Sequence, residues 1–244
     1  MEVLRVENLV KDYGKVRAVK GLSFSLASGE IVGLLGPNGA GKTTTIEMLL
    51  GILEPTSGSI EVLGRPLETH RYEVVQQMNF AAPYALLPGN LSVKENLMIF
   101  ALLYGVPNAR RRVSELLGQF ELESLASVRT GLLSSGEQSR LNLAKAFINA
   151  PTLLLLDEPT ASLDPDAAAR MRQRITTEAR KRGTAILWTS HNMYEMETVC
   201  DRILFLFQGR IVAEGTPKEL VQKFGKEDLE QTFIALARGF FAAE

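Results

Sequence analysis

The chain has 244 residues, 45% of them hydrophobic, and its 27 Lys and Arg nearly balance its 28 Asp and Glu. These values exclude a disordered or fibrous protein, and without a basic stripe they predict that the chain binds no nucleic acid. The only cysteine, Cys200, excludes an intramolecular disulfide and a cysteine-rich zinc site, so we expect a reducing, cytoplasmic compartment.

The N-terminal segment carries charges at Glu2, Arg5 and Glu7, so we expect no signal peptide there. The longest nearly unbroken apolar stretch is residues 97–106. It is about half of the roughly 20 residues that cross a bilayer. We therefore expect that no part of this chain spans a membrane.

Short apolar runs rich in Val, Ile and Leu alternate with helical patterns along the chain. This alternation predicts parallel strands joined by crossover helices, an α/β fold. The predicted strands are residues 3–6, 19–26, 31–35, 59–63, 153–156, 185–188 and 203–207. The runs 153–156 and 203–207 are apolar without alternation, which indicates strands covered by helices on both faces.

Residues 88–150 have a different, helical pattern, with apolar residues at helical spacing. We expect a helical subdomain inserted into a main domain of residues 1–225. The stretch 226–244 follows Gly225 and predicts a C-terminal helical tail.

The predicted strand 31–35 is followed by the letters GPNGAGKT, which match the phosphate-loop pattern G-x-x-x-x-G-K-[ST] between a strand and a helix. Glycines let backbone N–H groups turn inward around a phosphate, and the helix directs its positive end at the same anion. We expect the Lys42 ammonium at the β- and γ-phosphates of ATP and the Thr43 hydroxyl on Mg²⁺. A plain turn has no use for this Lys-Thr pair. The predicted nucleotide-binding residues here are Gly36, Pro37, Asn38, Gly39, Ala40, Gly41, Lys42, Thr43 and Thr44.

Two carboxylates, Asp157 and Glu158, end the buried strand 153–156. At the carboxyl end of a strand such side chains reach a ligand in the adjoining crevice. We expect Asp157 to act on Mg²⁺ and Glu158 to orient and deprotonate the attacking water.

The letters LSSGEQ, residues 133–138, precede a helical run. With the phosphate loop and the acid pair, they resemble the signature of the ABC (ATP-binding cassette) ATPases. The resemblance covers nearly the whole chain and includes Pro159, the turn at residues 162–164, and His191 after a strand. It implies a P-loop NTPase core with a mostly parallel sheet, an N-terminal antiparallel β subdomain and the inserted helical subdomain.

The resemblance also assigns further site residues. It implies that Tyr13 stacks on adenine and that His191 contacts the γ-phosphate in the catalytic site. It implies that Asp164 links the sites of two subunits. A helix N-terminus at the signature is a second anion-binding end, and the predicted nucleotide contacts there are Ser134, Ser135, Gly136 and Glu137.

The partners expected from the resemblance are a second copy of the chain, closed head to tail by ATP, and separate transmembrane permease subunits at the inner face of the cell membrane. Residues 190–193, 209–217 and 229–236 resemble the drug, lipid and polysaccharide export branch. An importer cassette is the first alternative, and a soluble ABC ATPase of translation or DNA repair the second. A GTPase or small-molecule kinase is a third, but no Asn-Lys-x-Asp motif is present. The resemblance implies that the membrane subunit chooses the transported substance.

One position departs from the family pattern. The family has a Gln just ahead of the helical subdomain, on Mg²⁺, and here a count back from residues 91–97 puts Pro83 or Ala82 in its place. Neither side chain binds a metal. Gln76 and Gln77 lie upstream, and we expect them at the solvated end of a helix. Mg²⁺ readily keeps waters as ligands, so we expect nucleotide binding to remain intact. The missing Gln bears instead on the rate of ATP hydrolysis and on its coupling to the membrane partner.

Overall fold

The structure is a computed structural model that describes residues 1–82 and 85–241. The described chain forms two compact units. The first contains Met1–Val74 and Ala185–Glu244, and the second contains Val75–Thr184. Within the described residues, no helix combines the length and the apolar character that crossing a membrane requires.

The first unit contains an antiparallel sheet made by four N-terminal strands. They are β1 (Glu2–Tyr13), β2 (Val16–Ala27), β4 (Ser57–Val62) and β5 (Arg65–Pro66), in the spatial order β2-β1-β4-β5. Inward side chains of β1 and β2 such as Leu4, Leu9 and Leu22 are fully buried, which gives the sheet one apolar face. This sheet is the expected N-terminal antiparallel subdomain.

The first unit also contains parallel strands. β3 (Ile31–Leu35) lies between β8 (Ala185–Thr189) and β9 (Arg202–Phe207), parallel to both, and β10 (Arg210–Gly215) pairs antiparallel with β9. Every residue of β3 and β8 is buried. Residues 203–207 of β9 are buried too, as their unalternating apolar run predicts. The helices of this unit are α1 (Lys42–Leu49), α7 (Met193–Val199), α8 (Pro217–Phe224) and α9 (Leu229–Phe241).

The C-terminal helix α9 packs on the parallel strands of its own unit. The Phe233 ring lies 6.0 Å from Phe205 and 5.5 Å from Phe207 between centroids. The Glu197 carboxylate accepts a hydrogen bond from the Leu229 N–H at 2.7 Å. The predicted tail helix therefore adds to the core of this unit.

Helix α2 (Arg71–Gln76) contains the point where the chain passes from the first unit to the second. The second unit is mainly helical, around two parallel strands, β6 (Met78–Ala81) and β7 (Leu153–Asp157). Its helices are α3 (Val93–Leu103), α4 (Ala109–Gln119), α5 (Ser135–Ala146) and α6 (Pro165–Arg182), with 3₁₀ turns at Glu123–Leu125 and Thr130–Leu132. The predicted helical stretch 88–150 contains α3, α4 and α5.

The fold class is confirmed: an α/β protein with parallel strands, an N-terminal antiparallel sheet and helices. The strands β5, β6 and β10 were not predicted, and β5 has only two residues. β6 has only four residues and includes Asn79, whose buried amide interrupts the apolar run. β10 is a partly exposed strand with a bulge, so its apolar pattern is weak.

Candidate functional site

The phosphate loop joins β3 directly to α1, and two of its glycines leave no room for a side chain. A Cβ on Gly36 would come within 2.2 Å of the Leu206 carbonyl oxygen, and one on Gly41 within 2.8 Å of the Ala18 carbonyl oxygen. Gly41 also has φ of 105°, a conformation that glycine adopts without strain. The close backbone packing is the physical reason for glycine at these two predicted positions.

The N-terminus of α1 is open. Its N-cap is Gly41, which makes no side-chain cap hydrogen bond, and its first turn has no acidic residue. The Lys42 ammonium donates hydrogen bonds to the carbonyl oxygens of Gly36 at 2.5 Å and Pro37 at 3.1 Å, so it lies within the loop. Asn38 and Thr43 are exposed. Backbone N–H groups, a lysine and a hydroxyl are therefore available to one polyanion.

His191 and Tyr13 belong to the same unit as this loop. The register pairs Val32 with Leu187, so β3 and β8 end at the same edge, and the chain reaches the phosphate loop and His191 from there. His191 is exposed. Tyr13 ends β1 with 48% of its surface exposed, and the Lys11 ammonium lies 5.6 Å from its ring centroid.

The acid pair lies in the second unit, at the carboxyl end of β7. Asp157 is 9% exposed, and Glu158 follows it with φ of 48°. A left-handed conformation is unfavourable for a residue with a Cβ, and such residues cluster at functional sites. The strained turn directs the chain away from the strand immediately after the two carboxylates.

The signature residues form the beginning of α5. The Ser134 hydroxyl accepts a hydrogen bond from the Glu137 N–H at 3.3 Å, and the Glu137 carboxylate accepts one from the Ser134 N–H at 2.7 Å. This capping box satisfies two N–H groups reciprocally. The hydrogen bond from the Ser134 N–H, and to a lesser extent the one from the Ser134 hydroxyl, holds the pKa of the Glu137 carboxyl below its ordinary value. Ser135 is exposed and Gly136 half-buried.

Asp164 is the N-cap of α6. Its carboxylate accepts a hydrogen bond from the Ala167 N–H at 3.0 Å, and this bond is the main cause of its lowered pKa. A Cβ on Gly136 would lie 3.4 Å from the Ser162 carbonyl oxygen, so the starts of α5 and α6 approach each other closely.

The position of the absent Gln lies at the end of β6. The register pairs Ala81 with Leu156, so Ala82 comes beside Asp157, and it is buried with 4% exposure. Its methyl group has no ligand atom. The other candidate, Pro83, lies outside the described residues.

The two upstream glutamines lie at the opposite end of the same strands. The Gln77 carbonyl accepts a hydrogen bond from the Thr152 N–H at 2.8 Å, before β7 begins, and the Gln76 carbonyl accepts one from the Asn149 amide at 3.0 Å. Neither glutamine is near the carboxyl end of β7, which agrees with their exclusion as metal ligands.

A buried lysine was missed at the sequence level. The Lys145 ammonium of α5 donates to the Phe80 carbonyl at 2.6 Å and lies 4.7 Å from the Phe80 ring centroid. Burial lowers its pKa to about 8. The only signal in the sequence is a lysine between apolar neighbours of a helix, which predicts a buried position. The link ties α5 to the strand that carries the altered Gln position.

The comparisons with known proteins agree with this geometry. The model of the family described as ABC transporter matches residues 19–161. The chain is 42% identical over 217 residues to a Nod factor export ATP-binding protein I of Burkholderia orbicola, over 88% of this chain and 71% of that protein. It is 41% identical to the protein of that name in Rhizobium sp., over 87% of this chain and 70% of that protein.

Solved structures are similar as well. The ATP-binding subunit of an ABC transporter superposes with a TM-score of 0.90 at 31% identity, over 96% of this chain and 99% of that one. The cbiO1 protein from Clostridium perfringens, described as part of the ABC transporter complex cbiONQ, gives 0.81 at 28% identity, over 91% of each chain.

Proposed function

Since the chain belongs to the ABC transporter family as an ATP-hydrolysing, ATP-binding protein, we propose that it powers export through separate membrane-spanning subunits. The observation that carries the proposal is the open N-terminus of α1, with the Lys42 ammonium held over the Gly36 and Pro37 carbonyls. This arrangement has the size and charge for the phosphates of ATP.

The loop residues 36–44 would bind the phosphates, and Tyr13 would stack on adenine, a contact worth about 1–3 kcal/mol. Thr43 and Asp157 would hold Mg²⁺, since a hydroxyl and a carboxylate are oxygen ligands of the kind this ion prefers. Bound there, Mg²⁺ would neutralise charge on the phosphates. Because neither Ala82 nor Pro83 has a side-chain ligand atom, water or another residue would take the place of the absent Gln.

Glu158 acts as the general base. Its carboxylate takes a proton from water while the water oxygen attacks the γ-phosphorus and the bond to the β-phosphate oxygen breaks, giving ADP and phosphate. His191 contacts the γ-phosphate. Both roles rest on the match of these positions to the family motif and on their places at the ends of buried strands.

Two copies of the chain close head to tail around ATP. Ser134, Ser135, Gly136 and Glu137 of one copy face the γ-phosphate bound to Lys42 of the other, and the Asp164 turn connects the two sites. The capped start of α5 is a preformed helix end whose remaining N–H groups favour an anion. A two-fold pair of identical surfaces closes on itself and gives two equivalent sites.

Relatives named for export, at 41–42% identity, favour export over an importer cassette. We place the chain at the inner face of the cell membrane, bound to its permease. In its native cell it should sediment with membranes, and deletion of the permease gene should release it. A chain that sediments equally without the permease contradicts this placement.

Pairing is tested by light scattering on the Glu158→Gln protein. ATP should double its mass and ADP should not, because only ATP presents the γ-phosphate. Adding Gly136→Asp should abolish the ATP-dependent pair by placing a negative charge against that phosphate. Gly136→Ala adds bulk without charge and should keep it. Equal mass in both nucleotides, or an ATP pair that survives Gly136→Asp, contradicts the head-to-tail arrangement.

A further inference from the structure

Glu121 occupies a backbone position that suits glycine better. Helix α4 ends with Phe120 as its C-cap, and the N–H groups of Glu121 and Leu122 donate to the carbonyls of Gly118 at 3.3 Å and Leu117 at 2.8 Å. This is the Schellman arrangement, in which the residue after the C-cap is left-handed and is usually glycine. Glu121 has φ of 55°. A strained glutamate in a glycine position indicates that its side chain has a use.

The Glu121 carboxylate lies between two arginines of different helices. Arg170 of α6 donates from Nε at 3.0 Å, and Arg140 of α5 approaches from Nη1 at 3.5 Å. The Arg140 side chain is only 18% exposed, and its Nε is buried with no hydrogen-bond partner in the described part of the chain. The charge of Arg140 therefore depends on this carboxylate more than that of an exposed arginine does.

The two helices that Glu121 joins are those that begin at proposed nucleotide-facing residues. Arg140 lies in α5, which Ser134 caps, and Arg170 lies in α6, which Asp164 caps. Arg170 also pairs with Asp166, in the first turn of α6. One carboxylate thus connects the two helices at residues that each lie six positions after the N-cap.

We propose that Glu121 is a positioning residue: it holds the starts of α5 and α6 in one geometry, so that Ser134 and Asp164 meet the nucleotide of the second copy together. The proposal rests on the proposed function for its consequence in pairing. An isolated exposed ion pair contributes little to stability. Here the mostly buried Arg140 and the unfavourable backbone of Glu121 distinguish the bridge from such a pair.

The experiment uses the variant Glu121→Gly, which removes the carboxylate and relieves the backbone. Its thermal midpoint should stay close to that of the parent, because the relieved left-handed backbone offsets the loss of the partner of Arg140. Hydrogen exchange of the nucleotide-free protein should nevertheless become faster, about three-fold or more, in peptides covering residues 134–140 and 162–168. Glu123→Gln, two residues away, removes a nearby carboxylate and should change neither segment.

Pairing is then measured with Glu121→Gln in the Glu158→Gln protein. The concentration for half-maximal ATP-dependent pairing should rise about three- to ten-fold. The difference in pairing between Glu121→Gln and the protein that keeps Glu121 should shrink near 1 M salt, where the Debye length is about 3 Å, because the Arg170 side chain is 45% exposed. A packing defect alone would show no such salt dependence.

Unchanged exchange in both segments of Glu121→Gly overturns the bridge, whatever the nucleotide result. Faster exchange with a lowered thermal midpoint also overturns it, since general destabilisation then explains the change. A parent that never pairs with ATP contradicts the proposed function, while the exchange result still decides whether Glu121 positions the two helices.

Discussion

The two helix N-termini that carry the phosphate loop and the signature differ in one respect. The start of α1 has Gly41 as N-cap and no side-chain cap, whereas the start of α5 is closed by Ser134 and Glu137. The second helix is also fixed near its other end. The Arg112 guanidinium donates to the Phe147 carbonyl at 2.5 Å, and the Lys145 ammonium donates to the Phe80 carbonyl.

This difference separates two ways of preparing an anion site. An open helix end leaves backbone N–H groups for the ligand to satisfy, so binding itself completes the structure. A capped end has its direction set before any ligand arrives, because the side chains of Ser134 and Glu137 accept hydrogen bonds from each other's N–H groups. The phosphate loop is therefore suited to binding, and the signature end to recognising a nucleotide already bound.

The largest effect is expected from Glu158→Gln, which tests whether the second unit contributes chemistry beyond binding. Turnover of ATP should fall about 10²- to 10⁴-fold, the usual contribution of a positioned base, while ATP affinity is retained. Phosphate release and equilibrium ATP binding measure the two quantities. Hydrolysis at the parent rate would remove Glu158 from this role.

Lys42→Ala tests the open end. Charge-assisted hydrogen bonds contribute about 1.5–3 kcal/mol, so ATP affinity should fall ten-fold or more. Lys94→Ala, an exposed lysine of α3, is the matched control and should bind ATP like the parent. Equal affinity for Lys42→Ala and the control in a titration with ATP would show that the loop binds phosphate without its lysine.

Lys145 tests how firmly α5 is fixed in the second unit. Burial lowers its pKa to about 8 from the ordinary 10.5, so between these values the unfolded chain binds more protons and stability rises with pH. Relative to Lys145→Met, the parent should therefore gain about 1–2 kcal/mol in the free energy of unfolding between about pH 7 and about pH 9.5. Urea unfolding of both proteins at the two pH values measures this gain. A difference in unfolding free energy between parent and variant that does not change with pH would place the ammonium in solvent.

The smallest effect is expected from Glu137→Gln, which keeps the side-chain shape of the capping box and removes its charge. A carboxylate at a helix N-terminus contributes about 0.3–1 kcal/mol, so the thermal midpoint at neutral pH should fall by roughly 1–3 °C. Because the pKa of Glu137 is lowered in the folded chain, this advantage is present above the ordinary carboxyl range and is lost as the pH falls through the lowered value.

The Glu137→Gln variant is also tested for ATP-dependent pairing. A capping carboxylate that only sets the helix direction can be replaced by an amide, so pairing in the Glu158→Gln background should not weaken. Loss of pairing in Glu137→Gln would show that the charge itself takes part in the site.

Local patterns were sufficient for most of the fold because buried parallel strands are continuous apolar runs. The strands of residues 31–35 and 153–157 are of this kind, and the phosphate loop follows from its own spacing. The short strand β6 was missed because Asn79 breaks its apolar run. The NH₂ group of that amide donates to the distant Asn149 side chain, at 2.9 Å, and to the Lys145 carbonyl, at 3.3 Å.

The sequence by itself predicted the loop, the acid pair and the signature as candidate site residues, since each is a contiguous run that is recognised by its residue types and their spacing. Tertiary structure alone decided what depends on residues far apart in the chain. It placed Ala82 beside Asp157, buried the Lys145 ammonium against Phe80, and brought Arg140 and Arg170 to the one carboxylate of Glu121. Contacts over such separations follow from packing, and no local pattern of side chains encodes them.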